Sequence, residues 1–306
     1  MMLSSDGWES ARSFMFTHAR PLEQKLFSYH FENGSRKDAA EELTYFQNED
    51  GGFGQCLEPD FRLQVSSPMA TTVGLQIAKE LELGSNHPII RKALNYLEAA
   101  FDHTLKTWHA VPPEVNGVPH APWWHFHNDK GYSGVQTTWA NPNAELVGYF
   151  HVYDCDFPSK EQWLSKALAE LDELPMPIEM HDFLCYSRLL QSLPEKSDER
   201  QHIYTSLSQS LHQTVCTNPE RWDEYVAKPL GAAPHPTSPF YEALKEDVEL
   251  QLMAEIESQH KDGYWQPAWS WFGQYEDTWK NAEIEWRGIL TLATLRSLDA
   301  YGKINK

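Results

Sequence analysis

The densest group of chemically capable side chains spans positions 120–127, which read His-Ala-Pro-Trp-Trp-His-Phe-His. The ring faces of Trp123 and Trp124 could stack on a sugar, hold an apolar chain or stabilise a carbocation. His120 and His125 could bind substrate or transfer protons, because an unperturbed imidazole titrates near neutral pH. The alternative is a loop that the indole rings fix to the protein, with the imidazoles at its surface.

Paired carboxylates precede this loop, where Pro59 separates Glu58 from Asp60. Two acids held close together push one pKa upward, which suits a general acid. The alternative is a solvated loop in which Arg62 forms an ion pair with them. Asp50, which precedes them in a glycine-rich turn, is a further candidate proton donor.

Two more acidic positions lie near predicted helix starts. Glu145 follows Asn141 by one turn, and Asn141 itself suits an N-cap. His181 and Asp182 lie in another early turn, where Asp182 could orient the imidazole. A surface pair is the alternative there. Because helix N-termini carry free amides and partial positive charge, they favour acidic and anionic groups.

The C-terminal quarter combines aromatic rings with two further acids. Glu283 and Glu285 lie near the start of a helix that is apolar on most sides. Burying an unpaired acid is costly, so they need a partner or a function. Arg287 is the structural alternative as that partner. The candidate substrate-binding rings of this region are Trp265, Trp269, Trp271 and Trp286.

Helical periodicity predicts the elements that position these groups. Met69, Val73, Ile77 and Leu81 recur every four residues, and similar stripes follow along the chain. No convincing strand pattern is present, so we predict an all-α protein with one domain over 1–306. Most candidates lie in three irregular stretches, at 49–67, 103–141 and 259–280. The eleven predicted helices are 7–18, 21–32, 35–48, 68–83, 87–102, 142–153, 158–174, 177–193, 197–215, 238–258 and 281–301.

A short motif occurs twice, each time after an amphipathic helix. Gln47 to Phe53 and Gln259 to Trp265 both read Gln-x-x-Asp-Gly-x-aromatic. The glycine permits a tight turn with positive φ, and the aspartate can accept bonds from turn amides. The glutamine can bond the backbone, and the ring can stack on a helix end. The motif therefore predicts a turn that joins an outer helix to the following inner helix.

These two turns resemble the QW-type repeat of the squalene-cyclase and terpenoid-cyclase family. They are also similar to the DGG(F/W) turns of protein prenyltransferase β-subunits. The resemblance implies an (α/α)6 toroid, in which helical hairpins surround a central cavity, and eleven predicted helices approximate six hairpins. The same turn occurs in toroids of some polysaccharide lyases and hydrolases, so the resemblance concerns the fold more than the activity.

The chemical motifs of that family are missing. The Asp-x-Asp-Asp acid motif is absent, and the nearest string is Asp154-Cys155-Asp156-Phe157. The Asp-Asp-x-x-Asp magnesium motif is absent too. No local signature marks a zinc set, although Cys185 lies close to His181. We therefore predict no metal and no cofactor. The chain is about half as long as squalene cyclases, which leaves room for one toroid.

Composition excludes several classes of partner. With 25 basic and 44 acidic residues among 306, the net charge of −19 disfavours nucleic acid and anionic membranes. No apolar run approaches the ~18 residues of a membrane span. The absence of a signal-like start predicts a cytoplasmic protein. The four cysteines form no Cys-x-x-Cys pair, and 12 tryptophans are unusually many.

Three functional hypotheses follow. The first is a terpenoid-cyclase or prenyltransferase-like enzyme that acts on an isoprenoid or similar apolar small molecule in an aromatic, acidic cavity. The second is a carbohydrate-active enzyme of the glycoside hydrolase or polysaccharide lyase type on the same fold. The third is a non-catalytic binding protein. The sequence leaves the substrate and the oligomeric state open.

Overall fold

The computed structural model describes residues 1–153 and 156–306, and the described part is mostly helical. Asp154 and Cys155, the first half of the string compared with the Asp-x-Asp-Asp motif, lie outside it. The helices are α1 (Ser5–His18), α2 (Pro21–Phe31), α3 (Arg36–Thr44), α4 (Pro68–Glu80), α5 (Pro88–Ala99), α6 (Ala140–Val152), α7 (Lys160–Asp172), α8 (Met180–Leu190), α9 (Asp198–Thr214), α10 (Pro229–Ala232), α11 (Tyr241–Ser258) and α12 (Glu276–Ala300).

All eleven predicted helices are present, and the prediction of an all-α class is confirmed. Their limits follow local chemistry: α4 begins where Ser67 Oγ accepts from Ala70 N at 3.0 Å and Pro68 occupies the first turn. The sequence missed α10, which has only four residues and so no visible periodicity. It also missed an antiparallel pair of two-residue strands, β1 (Phe126–His127) and β2 (Tyr132–Ser133). Three short 3-10 helices complete the described elements, at Pro113–Gly117, Pro122–Trp124 and Pro219–Arg221.

The chain divides into two compact units. Unit 1 comprises Met1–Glu42 and Val215–Lys306, and unit 2 comprises Leu43–Thr214. The expectation of a single domain over 1–306 stays a prediction. Within the described residues, no helix is both long and apolar enough to cross a membrane.

Alternate helices pack together in unit 2. Helix α6 contacts α4 and α8, its second neighbours in the chain, as well as α5 and α7. Helix α7 contacts α9 in the same way, and α8 contacts α9. Unit 2 is therefore built from two layers of helices. Helices α4, α6 and α8 form one of these layers, called the row of unit 2 below.

Unit 1 brings the chain ends together. Leu3 N donates to Lys303 O at 2.7 Å, and Asn305 N donates to Leu3 O at 3.0 Å. Helix α12 contacts both α1 and α2, while α10 packs on α11. Helix α1 therefore packs against α12 as the next helix of the chain would.

The two predicted turns have the same glutamine contacts. Gln47 Nε2 donates to the carbonyl four residues on at 2.9 Å and to Ile89 O, at the start of α5, at 3.0 Å. Gln259 Nε2 donates to the carbonyl four residues on at 3.2 Å and to Gly7 O, at the start of α1, at 2.9 Å. Each turn therefore joins its preceding helix to the N-terminus of another.

The glycine of each turn is required for two reasons. Gly51 has a φ of 94° and Gly263 a φ of 92°, in the left-handed region that favours glycine. A Cβ at Gly51 would collide with the carbonyl oxygen of Lys92, and one at Gly263 with that of Ser10. The close approach of these backbones is what the Asp-Gly pair makes possible.

The aromatic residue that ends each turn is anchored by a threonine. Phe53 N donates to Thr71 Oγ1 of α4 at 3.0 Å, and Trp265 N donates to Thr291 Oγ1 of α12 at 3.1 Å. Each turn is therefore bonded through its aromatic residue to the helix that follows it, and through its glutamine to the next helix after that. In the second copy, the next helix is α1, so the repeat runs across the chain ends.

A third version of this anchor was not visible in the sequence. Trp108 N donates to Asn143 Oδ1 of α6 at 2.7 Å. Its indole Nε1 donates to Leu97 O at 2.6 Å, as Trp265 Nε1 donates to Glu255 O at 2.8 Å. The turn before Trp108 lacks Asp-Gly, so only the hydrogen bonds reveal the relationship.

Candidate functional site

Two irregular segments of unit 2 are joined by backbone hydrogen bonds. Arg62 N donates to Pro119 O at 2.9 Å, and Ala121 N donates to Asp60 O at 2.7 Å. A bridge also pairs Phe61 with His120. The predicted acids and the histidine-tryptophan loop, 60 residues apart in sequence, therefore lie side by side.

This junction buries three ionisable groups that the sequence had singled out. Glu58, Asp60 and His120 are 6%, 4% and 5% exposed. Glu58 Oε1 accepts from Asp60 N at 3.0 Å, and His120 Nδ1 lies 2.7 Å from Val118 O. Because a carbonyl can only accept, the imidazole carries a proton on Nδ1. Together with Trp124, these residues are called the loop cluster below.

Two polar atoms of the same loops are buried without a partner among the described residues. Trp124 is 6% exposed and its ring meets that of Phe61 edge-on, with centroids 5.0 Å apart. Its Nε1 has no hydrogen-bond partner, and the same is true of Oγ of the fully buried Ser133. Buried polar groups are normally satisfied, so these two atoms are exceptions that require an explanation.

Helices α6 and α8 present the second group of candidates. Their contacts run in the same order along both helices, so the helices lie parallel, side by side. The N-terminal ends of both therefore point the same way. The three contacts, called the helix ladder below, are Thr138 Oγ1 to Asp182 Oδ1 at 2.9 Å, Cys185 Sγ to Asn141 Oδ1 at 3.8 Å, and Arg188 NH1 to Glu145 Oε2 at 2.9 Å.

Asp182 is the titrating group of this ladder. The residue is 4% exposed, and Thr138 Oγ1 lies 2.9 Å from each carboxylate oxygen. Burial raises the pKa of Asp182 to about 6, with a smaller rise from Glu179, while the Thr138 hydroxyl opposes it. Near neutral pH this carboxyl therefore exists in both protonation states.

His181 is oriented by a different acid from the one expected. The sequence paired it with Asp182, but His181 Nδ1 lies 2.8 Å from Glu179 Oε1. The second Glu179 oxygen accepts from His181 N at 2.7 Å and caps α8. Burial would raise the pKa of Glu179, but these contacts with His181 hold it below its usual range.

Glu145 accepts three hydrogen bonds from side chains of α4, α6 and α8. It is 3% exposed and accepts from Gln76 Nε2 at 2.8 Å, Tyr149 OH at 2.5 Å and Arg188 NH1 at 2.9 Å. Burial, and then the Glu145 charge, hold the pKa of Tyr149 well above its ordinary value. Sequence reasoning missed all three partners. One available signal was that Asp182, Cys185 and Arg188 recur every three residues on α8.

Several other candidates have structural roles. Asp50 is exposed, and its Oδ1 accepts from Gly52 N at 3.0 Å and Ser66 Oγ at 2.7 Å, which fixes its turn. Glu283 Oε1 accepts from Arg287 NH2 at 2.8 Å, which is the pairing weighed as the structural alternative. Both acids therefore have local structural partners.

The C-terminal tryptophans lie in unit 1, as do Glu283 and the half-buried Glu285. Trp265 and Trp271 are 5% and 0% exposed and belong to the core. Trp269 and Trp286 are half-buried and meet edge-on, with ring centroids 5.0 Å apart. These rings therefore belong to a different unit from the loop cluster.

The remaining loop candidates lie at the edge of the loop cluster. His125 is exposed, and its ring stacks 5.7 Å from that of His120. Trp123 is half-buried next to Trp124. Asn141, expected as an N-cap, has extended backbone angles inside α6, with φ −96° and ψ 115°. Its side chain belongs to the helix ladder.

Metal ligation has no geometric basis in residues 1–153 and 156–306, where no group of three or more histidine, cysteine, aspartate or glutamate side chains is arranged to hold an ion. Comparison of the chain with models of protein families, with curated proteins and with solved structures gives no significant match. The resemblance to the terpenoid-cyclase family stays a prediction that rests on the two turns.

Proposed function

We propose that this protein is a carbohydrate-active enzyme that uses buried carboxyl groups of unit 2 for general acid–base catalysis. The observation that carries the proposal is the loop cluster, in which Glu58, Asp60 and His120 are buried beside Trp124, whose indole N–H has no hydrogen-bond partner in residues 1–153 and 156–306. Buried polar groups are costly unless a partner satisfies them. A substrate rich in oxygen atoms would satisfy the indole N–H of Trp124 and the hydroxyl of Ser133.

The fold we propose for this activity is an (α/α)6 toroid. Twelve helices in the described residues would form six hairpins. Three observations support this arrangement: the packing of alternate helices, the repeated anchor of Phe53, Trp108 and Trp265, and the continuation of the repeat from α12 to α1. In such a toroid, loops and inner-helix N-termini would surround the mouth of the cavity.

A polar substrate fits the loop cluster better than a hydrocarbon does. Trp124 Nε1 requires an acceptor, and the Ser133 hydroxyl requires either an acceptor or a donor. An isoprenoid chain supplies neither. Sugars supply both, and their ring faces stack on indoles such as that of Trp123.

The proposed mechanism divides acid and base roles between Asp182 and the loop cluster. Asp182, with a pKa of about 6, would donate its proton to the leaving oxygen. Glu58 or Asp60 would take a proton from the attacking water or substrate. Thr138 positions Asp182, and His120 would bond a hydroxyl. Glycosidic cleavage requires one carboxyl group as the acid and a second as the base or nucleophile.

A substrate panel with an isosteric variant tests this function. We expect neutral or acidic oligosaccharides to raise the melting temperature, because a ligand at 100 times its Kd adds about 2.7 kcal/mol. Asp182→Asn is expected to lower turnover at least roughly 100-fold while the sugar still binds. Asp172→Asn, at the end of α7 where the aspartate pairs with His202, is the matched control and should leave turnover unchanged.

A second candidate is the isoprenoid enzyme, favoured by the aromatic group of unit 1. There Trp269 meets Trp286 and Tyr225 edge-on, at 5.0 and 5.4 Å between ring centroids. Such rings could hold an apolar or cationic substrate. Stabilisation by isoprenoid diphosphates or alcohols, and by no sugar, would contradict the carbohydrate proposal and support this one. Stabilisation by neither class would leave a non-catalytic binding protein.

A further inference from the structure

Two cationic side chains of unit 2, Arg188 and Lys79, have hydrogen-bond donors for which no described residue supplies an acceptor. Arg188 uses NH1 for Glu145, and its NH2 and Nε have no partner among the described residues. The side chain of Lys79 likewise forms no ion pair or hydrogen bond in the described part of the chain. It lies on α4 one turn beyond Gln76, which donates to Glu145 at 2.8 Å, and it interacts electrostatically with both Glu145 and Arg188. Glu145, by contrast, accepts three hydrogen bonds from side chains of the same row.

Water reaches these cations, but protein surrounds them. The Arg188 side chain is 41% exposed, whereas that of its partner Glu145 is only 3% exposed. Desolvation lowers the pKa of Lys79, and the neighbouring Arg188 lowers it further. Desolvation is the largest influence on Arg188 and opposes its charge, but Glu145, Cys185 and Tyr149 together outweigh it and keep the pKa of Arg188 above its ordinary value.

The local charge is opposite to that of the whole chain. Two cations face one carboxylate here, which leaves one positive charge in a protein whose net charge is −19. An anion would satisfy the open donors and offset the desolvation of both cations. Arg188 is six residues beyond Asp182 on α8, about 9 Å along the helix axis, so one substrate could contact both.

We propose that Arg188 and Lys79 form a subsite for an oxyanion of the substrate, and that the oxyanion is the carboxylate of a uronic acid unit. This inference rests on the proposed function, because carbohydrate chemistry supplies the carboxylate. A guanidinium with two adjacent open donors matches the two oxygens of a carboxylate, and Lys79 adds a point charge. Gln76 and Tyr149 hold Glu145, which in turn fixes Arg188.

Lys79→Met is the sharpest test, since Lys79 forms no bond whose loss would disturb the fold. Calorimetric titration compares an oligogalacturonate with the neutral galacto-oligosaccharide of the same length. We expect the wild-type protein to bind the acidic ligand more tightly, and Lys79→Met to lose about tenfold or more of that affinity. Binding of the neutral ligand should not change. Lys166→Met removes the same charge from α7, where the lysine pairs with Glu170, and should change neither.

Arg188 needs a paired variant, because removing it alone leaves Glu145 buried without its counter-charge. Arg188→Met combined with Glu145→Gln removes both charges. A thermal melt of the double variant establishes that it is folded. The folded variant is expected to retain only the part of the preference for the acidic oligosaccharide that Lys79 supplies, and adding Lys79→Met should remove that remaining preference.

The remaining outcomes distinguish a failure of the oxyanion subsite from a failure of the proposed carbohydrate function. If neutral sugars bind as tightly as uronates and Lys79→Met changes nothing, the subsite is overturned and the carbohydrate function stands. If no sugar binds, both fail. A hexose phosphate that binds more tightly than the uronate and depends on Lys79 supports the oxyanion subsite and assigns it to phosphate. A uronate preference unaffected by Lys79→Met or by the double variant places the anion elsewhere and overturns the proposal.

Discussion

The two units use the same turn next to rows of helices whose charged side chains differ. The row of unit 2 is α4, α6 and α8, and the row of unit 1 is α12 with α1, which contacts it. In unit 2, Arg188 binds a buried glutamate and keeps donors open, and Asp182 titrates near neutral pH. In unit 1, Arg287 binds Glu283 at 2.8 Å and its guanidinium carbon lies 4.5 Å from the Tyr264 ring centroid. The unit 2 pair combines a partly exposed guanidinium with a buried carboxylate, whereas both members of the unit 1 pair are partly exposed and Arg287 Nε is buried without a hydrogen-bond partner among the described residues. The turns therefore determine how the helices are joined, and the side chains of each row determine what the row can bind.

The largest expected difference between the rows is in their arginine-glutamate pairs. Arg188→Met leaves Glu145, 3% exposed, without its counter-charge, and should cost about 3 kcal/mol of unfolding free energy. Arg287→Met breaks a pair whose side chains are 23% and 30% exposed, and should cost about 1 kcal/mol or less. Denaturant unfolding of both variants measures this. Equal losses would contradict the distinction between the rows.

The glycines of the two turns should respond alike. Gly51→Ala and Gly263→Ala each force a side chain into the left-handed region and against a carbonyl oxygen. Strain and overpacking together are expected to cost about 2–4 kcal/mol in either unit. Gly231→Ala is the control, since a Cβ there meets nothing within 4 Å. A large loss at one turn only would show that the turns are not equivalent.

Asp182 should make stability depend on pH in a direction unusual for an acid. Its pKa is raised from 3.8 to about 6 on folding, so the stability it contributes is fully present below pH 4 and is lost as pH rises through 6. Asp182→Asn, which stays neutral, is expected to stabilise the protein by about 1–3 kcal/mol at pH 8 relative to its effect at pH 4. Unfolding at the two pH values tests this. An effect independent of pH would mean that Asp182 titrates normally.

Helix periodicity was enough to find eleven helices, because stripes such as that of Met69 to Leu81 are local. The Asp-Gly motif was enough to find two turns. The third anchor could not be found in this way, since Trp108 meets Asn143 without any Asp-Gly signal. The strands of two residues are too short to alternate.

The candidate site was predicted less completely. Glu58, Asp60, His120 and Trp124 were singled out individually, and the backbone hydrogen bonds that bring them together are non-local. The partner of Glu145 is Arg188, which is 43 residues away on a different helix. Such contacts depend on how α6 and α8 pack, which no pattern within one helix specifies.

The smallest effect expected concerns the anchors shared by the turns. Thr71→Val and Thr291→Val each remove the hydroxyl that accepts from a buried backbone amide, of Phe53 and Trp265 respectively. Each should cost about 1–2 kcal/mol, since a buried donor loses its partner. Thr205→Val, on the exposed face of α9, is a control in which little change is expected. A loss confined to one anchor would weaken the structural repeat.

Hydrogen exchange with and without a bound oligogalacturonate tests the central claim most directly, because it locates the ligand. Our account predicts that the ligand slows exchange in 118–125, in the first turns of α6 and α8, and around Lys79, while the row of α12 in unit 1 is unchanged. Protection concentrated around Trp269 and Trp286 would contradict the account and place the site in unit 1.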